Sequence, residues 1–286
     1  KIMKFMLTLI KNEIQKILGK KRSLIGFIAM GVLIPVIMIA FSYSEGGFAN
    51  ELSKKAKGMG GGFLVVGSIV NGYFIAHMIM NFLWVHIPFL ITLVAGDVVA
   101  GEGAAGTFRI YLIRPVSRFK ILLSKLLAVY IYTAALIIFF GLLSLGLGVT
   151  WHGTGDLFVL HDGILILGPE TALIRFLLAY TLAIFIMFSV ASLTYMFSSM
   201  VNNGIGPMVG AMAVIIISIA ISNIPLDIFI TVKPYLFTTY FDIWMKAFYD
   251  PVPWDAIFKG IGVLAIYIIS FVSISFWIFT RKDILT

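Results

Sequence analysis

Long uncharged runs divide the sequence, and charged residues are confined to the short segments between them. Crossing about 30 Å of hydrocarbon takes roughly 20 helical residues, and a helix satisfies its own backbone hydrogen bonds where water is absent. The longest run, 176–226, exceeds one span and is broken at 202–207 by Asn-Asn-Gly-Ile-Gly-Pro. The pattern therefore predicts six transmembrane helices, at about 24–43, 63–95, 126–150, 176–200, 207–224 and 260–280.

Three further features refine this layout. Residues 1–22 carry apolar side chains at helical spacing among lysines, which is typical of a helix lying on a membrane surface. The alternative, a solvated basic tail, would leave that apolar stripe in water. Pro88 predicts a kink in the second span, and 225–259, rich in proline and aromatic residues, predicts short helices at or dipping into the outer leaflet. We expect an all-α fold in which 23–286 form a single transmembrane domain.

Composition agrees with a membrane protein. The chain has 60% hydrophobic residues, 12% charged residues and a mean hydropathy of +1.06, and a soluble fold could not bury that much apolar surface. The net charge of +8 would suggest nucleic acid as a partner of a soluble protein. Here the lysines and arginines flank the spans, so we expect contact with membrane lipids and no nucleic acid. The chain has no cysteine, which excludes disulfides, thiolate metal sites and a cysteine nucleophile.

The distribution of the 21 lysines and arginines predicts the orientation. If the amino terminus is inside, most of them fall on the cytoplasmic side, as the positive-inside rule requires. The cluster formed by Lys54, Lys55 and Lys57 runs against this rule. We therefore expect a multi-pass protein of the cell membrane with both termini in the cytoplasm.

The connection between the second and third spans is the most informative segment. Residues 96–109 read Gly-Asp-Val-Val-Ala-Gly-Glu-Gly-Ala-Ala-Gly-Thr-Phe-Arg, which contains a formal G-x-G-x-x-G. We reject a dinucleotide site because that fingerprint needs a preceding strand in a βαβ unit. A glycine hinge leading into a short amphipathic surface helix fits better, with Thr107 as its N-cap and Pro115 at its end.

At this point the sequence resembles a known family. The string G-D-x-x-A-G-E-x-x-x-G-T, followed by R-P-x-S-R and a new span, looks like the permease subunit of an ATP-binding cassette exporter of the type-2 class. The tail Phe-Thr-Arg-Lys-Asp-Ile-Leu at 279–285 is also similar. The resemblance implies a dimer with a second permease subunit, bound to two copies of an ATP-binding cassette subunit. It implies no cofactor in this chain, with ATP and Mg bound by the partner subunit, and no G-x-x-x-x-G-K-[ST] loop is present.

The resemblance further implies that the connection is the coupling element that seats in a groove of the ATP-binding subunit. The run Gly103-Ala104-Ala105 departs from the family pattern and weakens the start of the expected helix. Glu102 is then a lone carboxylate that pairs with nearby arginines or meets a basic rim on the partner. The ATPase-coupling residues implied in this way are Glu102, Gly106, Thr107, Phe108, Arg109, Arg114, Pro115 and Arg118.

The remaining candidates are weaker. Asn71, His77 and Asn81 are candidates for a translocation path, because His77 and Asn81 share a helix face. The alternative for them is an interhelical hydrogen bond. His152 and His161 lie in an expected outer loop, but two histidines do not make a metal site. No H-E-x-x-H, G-x-S-x-G or pair of intramembrane carboxylates is present, so we expect no catalytic site.

These observations favour a permease subunit that moves a substrate outward with ATP hydrolysed by a separate chain. The spans carry no charged lining, so a lipid, a hydrophobic peptide or an amphipathic compound fits better than a small ion. One alternative is a secondary transporter or channel, although such folds often carry midplane charges and inverted repeats. A mechanotransmitting membrane scaffold is the other, because its coupling machinery would look the same.

Overall fold

The computed structural model describes residues 2–58, 70–106, 116–161 and 163–282, which are mostly helical. Two strands, β1 (Leu157–His161) and β2 (Gly163–Leu167), follow one another along the chain, and two 3-10 helices comprise Lys233–Tyr235 and Phe237–Phe248. The α-helices are α1 (Ile2–Gly19), α2 (Lys21–Gly58), α3 (Gly72–Leu83), α4 (Ile87–Ala95), α5 (Asp97–Ala104), α6 (Arg118–His152), α7 (Pro169–Met200), α8 (Gly206–Asn223), α9 (Asp227–Val232) and α10 (Trp254–Arg281).

The described residues contain six helices that are long and apolar enough to cross a membrane. They are Lys21–Tyr43, Ile87–Ala104, Arg118–His152, Pro169–Met200, Gly206–Asn223 and Trp254–Arg281. The predicted number of spans is therefore confirmed at the level of length and composition. The break in the longest apolar run is confirmed as well, because α7 ends at Met200 and α8 begins at Gly206.

The second span differs from its predicted bounds of 63–95. Its helix is interrupted after Leu83 and resumes at Ile87, with Pro88 in the first turn of α4, where the missing N–H costs no hydrogen bond. The chain then stays helical through α5 as far as Ala104. The glycine hinge expected from Gly96 onward is thus wrong in its placement, and the turn comes at Gly106, where φ is +66°.

A single serine of α7 explains why the helix continues past Gly96. The Ser198 hydroxyl donates to the Gly96 carbonyl oxygen at 2.7 Å and accepts from the backbone N–H of Ala100 at 2.9 Å. It therefore bonds to backbone groups on both sides of the junction between α4 and α5. Those groups gain a buried partner while the chain remains helical.

The described structure is compatible with the expected all-α fold, and it adds one short hairpin of two strands that the sequence analysis did not predict. β1 and β2 pair antiparallel, with Leu157 opposite Leu167 and His161 opposite Gly163. The sequence carried the signal, because Asp-Gly at 162–163 lies between two short apolar runs. A search for apolar runs of about 20 residues does not detect strands that are five residues long.

Helix α7 lies at the centre of the bundle, packed against α4, α5, α6, α8, α10 and the long 3-10 helix. Hydroxyl pairs join it to its neighbours, including Ser144 with Tyr180 at 2.7 Å and Ser199 with Ser275 at 2.6 Å. Bonds of this kind hold helices together where lipid supplies no hydrophobic driving force. The segment 225–259 forms the short helices expected of it, and Trp244 and Phe248 are almost fully buried there.

The bundle has two distinct ends. The α1 end carries α1, α5, the first turns of α2 and α6, and the last turns of α7 and α10, whereas the hairpin end carries the strands. Trp254 and Trp277 are half exposed near opposite ends of α10, about 34 Å apart at 1.5 Å per residue. That distance is close to the thickness of a bilayer core with its aromatic belts, where tryptophan is enriched.

We expect the substitution of glycine by alanine to have different effects on stability at two positions of α6. At Gly148 an added Cβ would lie 2.7 Å from the Gly72 carbonyl oxygen, whereas at Gly146 it would meet nothing within 4 Å. Gly148→Ala should therefore force α3 and α6 apart and destabilise the protein by about 1–3 kcal/mol. Gly146→Ala should be neutral or stabilise by up to about 1 kcal/mol, because alanine favours helix. Thermal unfolding of both variants in detergent checks this, and equal midpoints would contradict the close contact.

Candidate functional site

Four charged side chains from three helices meet at the α1 end, and we call them the charge cluster. Glu13 and Lys16 come from α1, Glu102 from α5 and Lys125 from α6. The Lys125 Nζ lies 2.7 Å from Glu13 Oε2 and 2.7 Å from Glu102 Oε2. Lys16 Nζ lies 2.7 Å from Glu13 Oε1 and 3.1 Å from Glu102 Oε1. Each carboxylate therefore contacts both ammonium groups.

Burial makes this cluster different from a surface ion pair. The exposed fraction of the side chain is 0% for Lys125, 7% for Glu13 and 12% for Glu102. Removing a charge from water costs several kcal/mol, which only close partners of opposite sign and further hydrogen bonds offset. The Val98 carbonyl oxygen, 3.3 Å from Lys125 Nζ, supplies one such bond. The two positive and two negative charges cancel, so the cluster is electrically balanced.

The pKa of Glu13 reflects the same balance. Burial alone would raise the pKa of this carboxyl group, but attraction to Lys125 and hydrogen bonds from Lys125 and Lys16 outweigh burial and lower it below its usual 4.5. Glu13 is therefore ionised at neutral pH, and its charged form is the one that the fold stabilises.

Local structure explains how each helix presents its charge. Glu13 and Lys16 are three residues apart on α1, so they share a face of that helix. Glu102 reaches the cluster because the second span remains helical past Gly96 and continues as α5. Lys125 lies two turns into α6. The cluster thus joins the amino-terminal helix to the end of the second span and to the start of the third.

A second set of charges lies beside the charge cluster. Asp97, at the start of α5, accepts from Lys20 Nζ at 2.8 Å and faces Arg22 Nη1 at 3.4 Å. Residues of both sets line a cleft between the junction of α1 with α2 and the second span, together with apolar side chains such as Leu93 and Val94. Asp97 therefore ties the start of the first span to the second.

Two basic residues tie the ends of three helices together at the same end. Arg118, at the start of α6, donates to the carbonyl oxygens of Thr280 at 3.2 Å and Lys282 at 3.0 Å. The Lys282 ammonium in turn donates to Asn202 Oδ1 at 2.7 Å and lies 3.4 Å from the Met200 carbonyl oxygen at the end of α7. Cations are favourable at helix carboxyl ends, where carbonyl oxygens lack partners within the helix.

The structure places three of the eight predicted coupling residues. Glu102 lies inside the charge cluster, Gly106 makes the turn after α5, and Arg118 binds the end of α10. Of the two alternatives considered for Glu102, the described residues show local pairing, because its two oxygens face Lys16 and Lys125 of the same chain. The other five, Thr107, Phe108, Arg109, Arg114 and Pro115, lie outside the described residues.

The three residues expected on a translocation path have separate roles in the described structure. Asn71 caps α3 by accepting from the backbone N–H of Tyr73 at 3.0 Å, and it donates to the Asp156 carbonyl oxygen. Asn81 donates to the His77 carbonyl oxygen of its own helix at 2.9 Å. His77 packs edge-on against Phe248, with ring centroids 4.7 Å apart. Ring packing, rather than the interhelical hydrogen bond considered as the alternative, is what the structure shows for His77.

The two histidines considered as metal ligands belong to different elements, His152 to α6 and His161 to β1. His152 Nε2 is hydrogen bonded to the Ser42 hydroxyl at 2.8 Å, which joins α6 to α2. His161 belongs to β1, and its side chain lies outside the described part of the structure. Across the described residues, no three or more histidine, cysteine or acidic side chains are grouped so that they could hold a metal ion.

Sequence reasoning missed three of the four cluster residues. Glu13 is the first acidic residue of the chain and stands alone in a basic segment, and Lys125 is the last charge before a long apolar run. Either feature marks a charge that needs a partner. Nothing in the sequence identifies the partner, because Glu13 and Lys125 are 112 positions apart.

We expect Lys125→Met to destabilise the protein by about 3–5 kcal/mol, because it leaves two buried carboxylates with one cation fewer. Lys120→Met, on the same helix five positions earlier, should change stability by no more than about 0.5 kcal/mol. Thermal unfolding in detergent at neutral pH measures both. Similar midpoints for the two variants would show that the charge cluster does not hold the helices together.

The lowered pKa of Glu13 predicts that the stability of the protein depends on pH. A carboxyl group with a lowered pKa in the fold contributes stability that is present above its unfolded value, near 4.5, and is lost as the pH falls through the folded value. Glu13→Gln should therefore be less stable than the parent at pH 7, and the difference in melting temperature should shrink as the pH falls below 4.5. A difference that is constant from pH 7 to pH 3 would contradict the assignment.

Comparison with known proteins gives one family. The model of the family described as "Protein of unknown function (DUF2705)" matches residues 52–285, which include Glu102, Lys125 and all the helices from α3 to α10. Glu13 and Lys16 lie before the matched range. No curated protein matches the chain.

Proposed function

The chain belongs to the DUF2705 family, and we propose that it is the membrane-spanning permease subunit of an ATP-binding cassette transporter of the type-2 class. The resemblance of 96–118 to that class supports the proposal, as do the six candidate spans and the helix that precedes the first of them. In this assignment the chain is not an enzyme, and ATP is bound and hydrolysed with Mg by a separate subunit. The transporter contains two such subunits and a second permease chain.

The charge cluster is the observation on which the proposal chiefly rests. It lies at the root of the connection between the second and third spans, where Glu102 and Lys125 flank the segment from Gly106 to Arg118. A plain turn between two spans needs only a few residues and no buried charges. A buried ion pair that joins the two sides of this segment makes sense if force applied to the segment must reach the helices without local bending.

The contacts give that force a route. From Glu102 the force passes to Lys125 and so into α6. From Lys125 it passes to Glu13 and so into α1. From Arg118 it passes to the end of α10, and from Lys282 to the end of α7. Closure of two ATP-binding subunits would thus shift several helices together and bias the permease between two conformations.

Orientation and substrate class follow from the charges of the spans. We place the α1 end in the cytoplasm of the cell, because the lysines of α1 and the arginines and lysines at the starts of α2 and α6 lie there. In the described spans the charged residues lie near the ends, except for Asp97 in Ile87–Ala104, and the buried polar groups are largely hydroxyls. A lipid, a hydrophobic peptide or an amphipathic compound suits such a bundle better than a small ion, whose carriers often place charges at the midplane.

The proposal predicts where ATP hydrolysis resides. The purified chain should hydrolyse no ATP, and co-expression with its ATP-binding cassette subunit should give a complex that does. The tests are size-exclusion chromatography and phosphate release, with a partner variant lacking its phosphate-loop lysine as the control. ATP turnover by the chain alone, or ATP-independent ion flux in vesicles, would favour an enzyme or a channel instead.

Coupling gives a second test within that complex. Glu102→Gln keeps the shape of the side chain but removes the charge that faces Lys125 and Lys16. We expect this variant to assemble with the ATP-binding subunit yet to lose, several-fold, the effect of the permease on the rate of ATP hydrolysis. Lys120→Gln is the matched control on α6. A Glu102→Gln complex that behaves like this control would show that the charge cluster plays no part in coupling.

A further inference from the structure

Three consecutive basic residues form the junction between α1 and α2, and we call Lys20, Lys21 and Arg22 the basic turn. All three are exposed, with exposed side-chain fractions of 44% for Lys20 and 50% for Arg22. This distinguishes them from Lys125, which is fully buried. The basic turn is therefore a surface that an external group can reach.

Asp97 neutralises only part of this positive charge. Its two oxygens face Lys20 Nζ and Arg22 Nη1, so one negative charge is shared between two cations. Glu13 and Glu102, the other acids lining the neighbouring cleft, face Lys16 and Lys125. The basic turn and Asp97 together carry a net charge of about +2, and a lysine has three N–H donors and an arginine five, so donors remain for another acceptor.

Exposed apolar side chains border the basic turn on both helices. Leu18 of α1 is 49% exposed, and Leu24 and Ile25 of α2 are each 44% exposed. The candidate membrane span begins at Lys21, in the middle of the basic turn. Cationic donors thus lie at the level where hydrocarbon gives way to water, which is the level of the lipid phosphates.

We propose that the basic turn binds the phosphate of an anionic glycerophospholipid whose acyl chains lie along Leu24 and Ile25. A soluble phosphate would use the cations alone and would gain nothing from the apolar neighbours. A lipid uses both parts of the surface, because its phosphate pairs with the cations and its acyl chains pack against the apolar side chains. Asp97 assists by holding Lys20 and Arg22 beside Lys21, so less side-chain freedom is lost when the lipid binds. This inference does not depend on the proposed transport function.

The test uses the full chain in nanodiscs that contain equal amounts of phosphatidylglycerol and phosphatidylcholine. Native mass spectrometry of the released protein counts the lipids of each kind that stay bound. One cation near an anionic phosphate is worth about 1 kcal/mol, or about fivefold in affinity. We therefore expect retention of phosphatidylglycerol to fall about fivefold in Lys21→Gln and by about 30-fold in the double variant with Arg22→Gln.

Controls separate this site from general attraction and from misfolding. Lys246→Gln with Lys259→Gln removes two cations that lie outside the α1 end and should retain as much phosphatidylglycerol as the parent. Lys21 makes no described ion pair, so Lys21→Gln reports on the site even if the double variant does not fold. Equal retention by Lys21→Gln and the parent would overturn the proposal. It would also be overturned by an equal loss in the control pair or by displacement of the lipid with inorganic phosphate.

Discussion

Lys125 is the constraint on which the arrangement at the α1 end depends. A fully buried ammonium group loses several kcal/mol of hydration, and only partners of opposite charge at close range offset that loss. Glu13 and Glu102 are those partners, both at 2.7 Å, and they come from different helices. Helices α1, α5 and α6 therefore assemble together, because withdrawing α5 or α6 leaves the cluster with unequal numbers of positive and negative charges, and withdrawing α1 leaves Lys125 with one carboxylate instead of two.

This requirement changes the role of the amino-terminal helix. The apolar stripe of α1 predicted a helix lying on the membrane surface, and exposed Phe5, Leu7 and Leu18 are consistent with contact with lipid. Glu13 is buried on the same helix and tied to Lys125. Helix α1 is thus docked against the bundle by charge on one side while it keeps apolar surface free on the other. A helix held in this way moves with the spans to which it is tied.

The spans were predictable because one rule governs them: a backbone in hydrocarbon must satisfy its own hydrogen bonds over about 20 residues. Bounds read from apolar runs come within about eight residues of the observed helices α6, α7, α8 and α10. The pairing of Glu102 with Lys125 was not predictable, since an ion pair depends on which helices meet in space. The helical continuation through Gly96 was missed for the same reason, because it depends on Ser198, which is 102 positions away.

The distribution of charge also limits how such a bundle can be moved. Between the two ends, α7 meets its neighbours through apolar side chains and hydroxyl pairs such as Ser144 with Tyr180, which are weak and easily exchanged. At the α1 end, buried ion pairs resist separation, since breaking one leaves a charge uncompensated. Force applied to the connection between α5 and α6 therefore acts on a rigid α1 end, whereas the helices in the middle of the bundle can shift against one another. Under the proposed function, the rigid end transmits the force and the sliding of helices within the membrane carries out the conformational change.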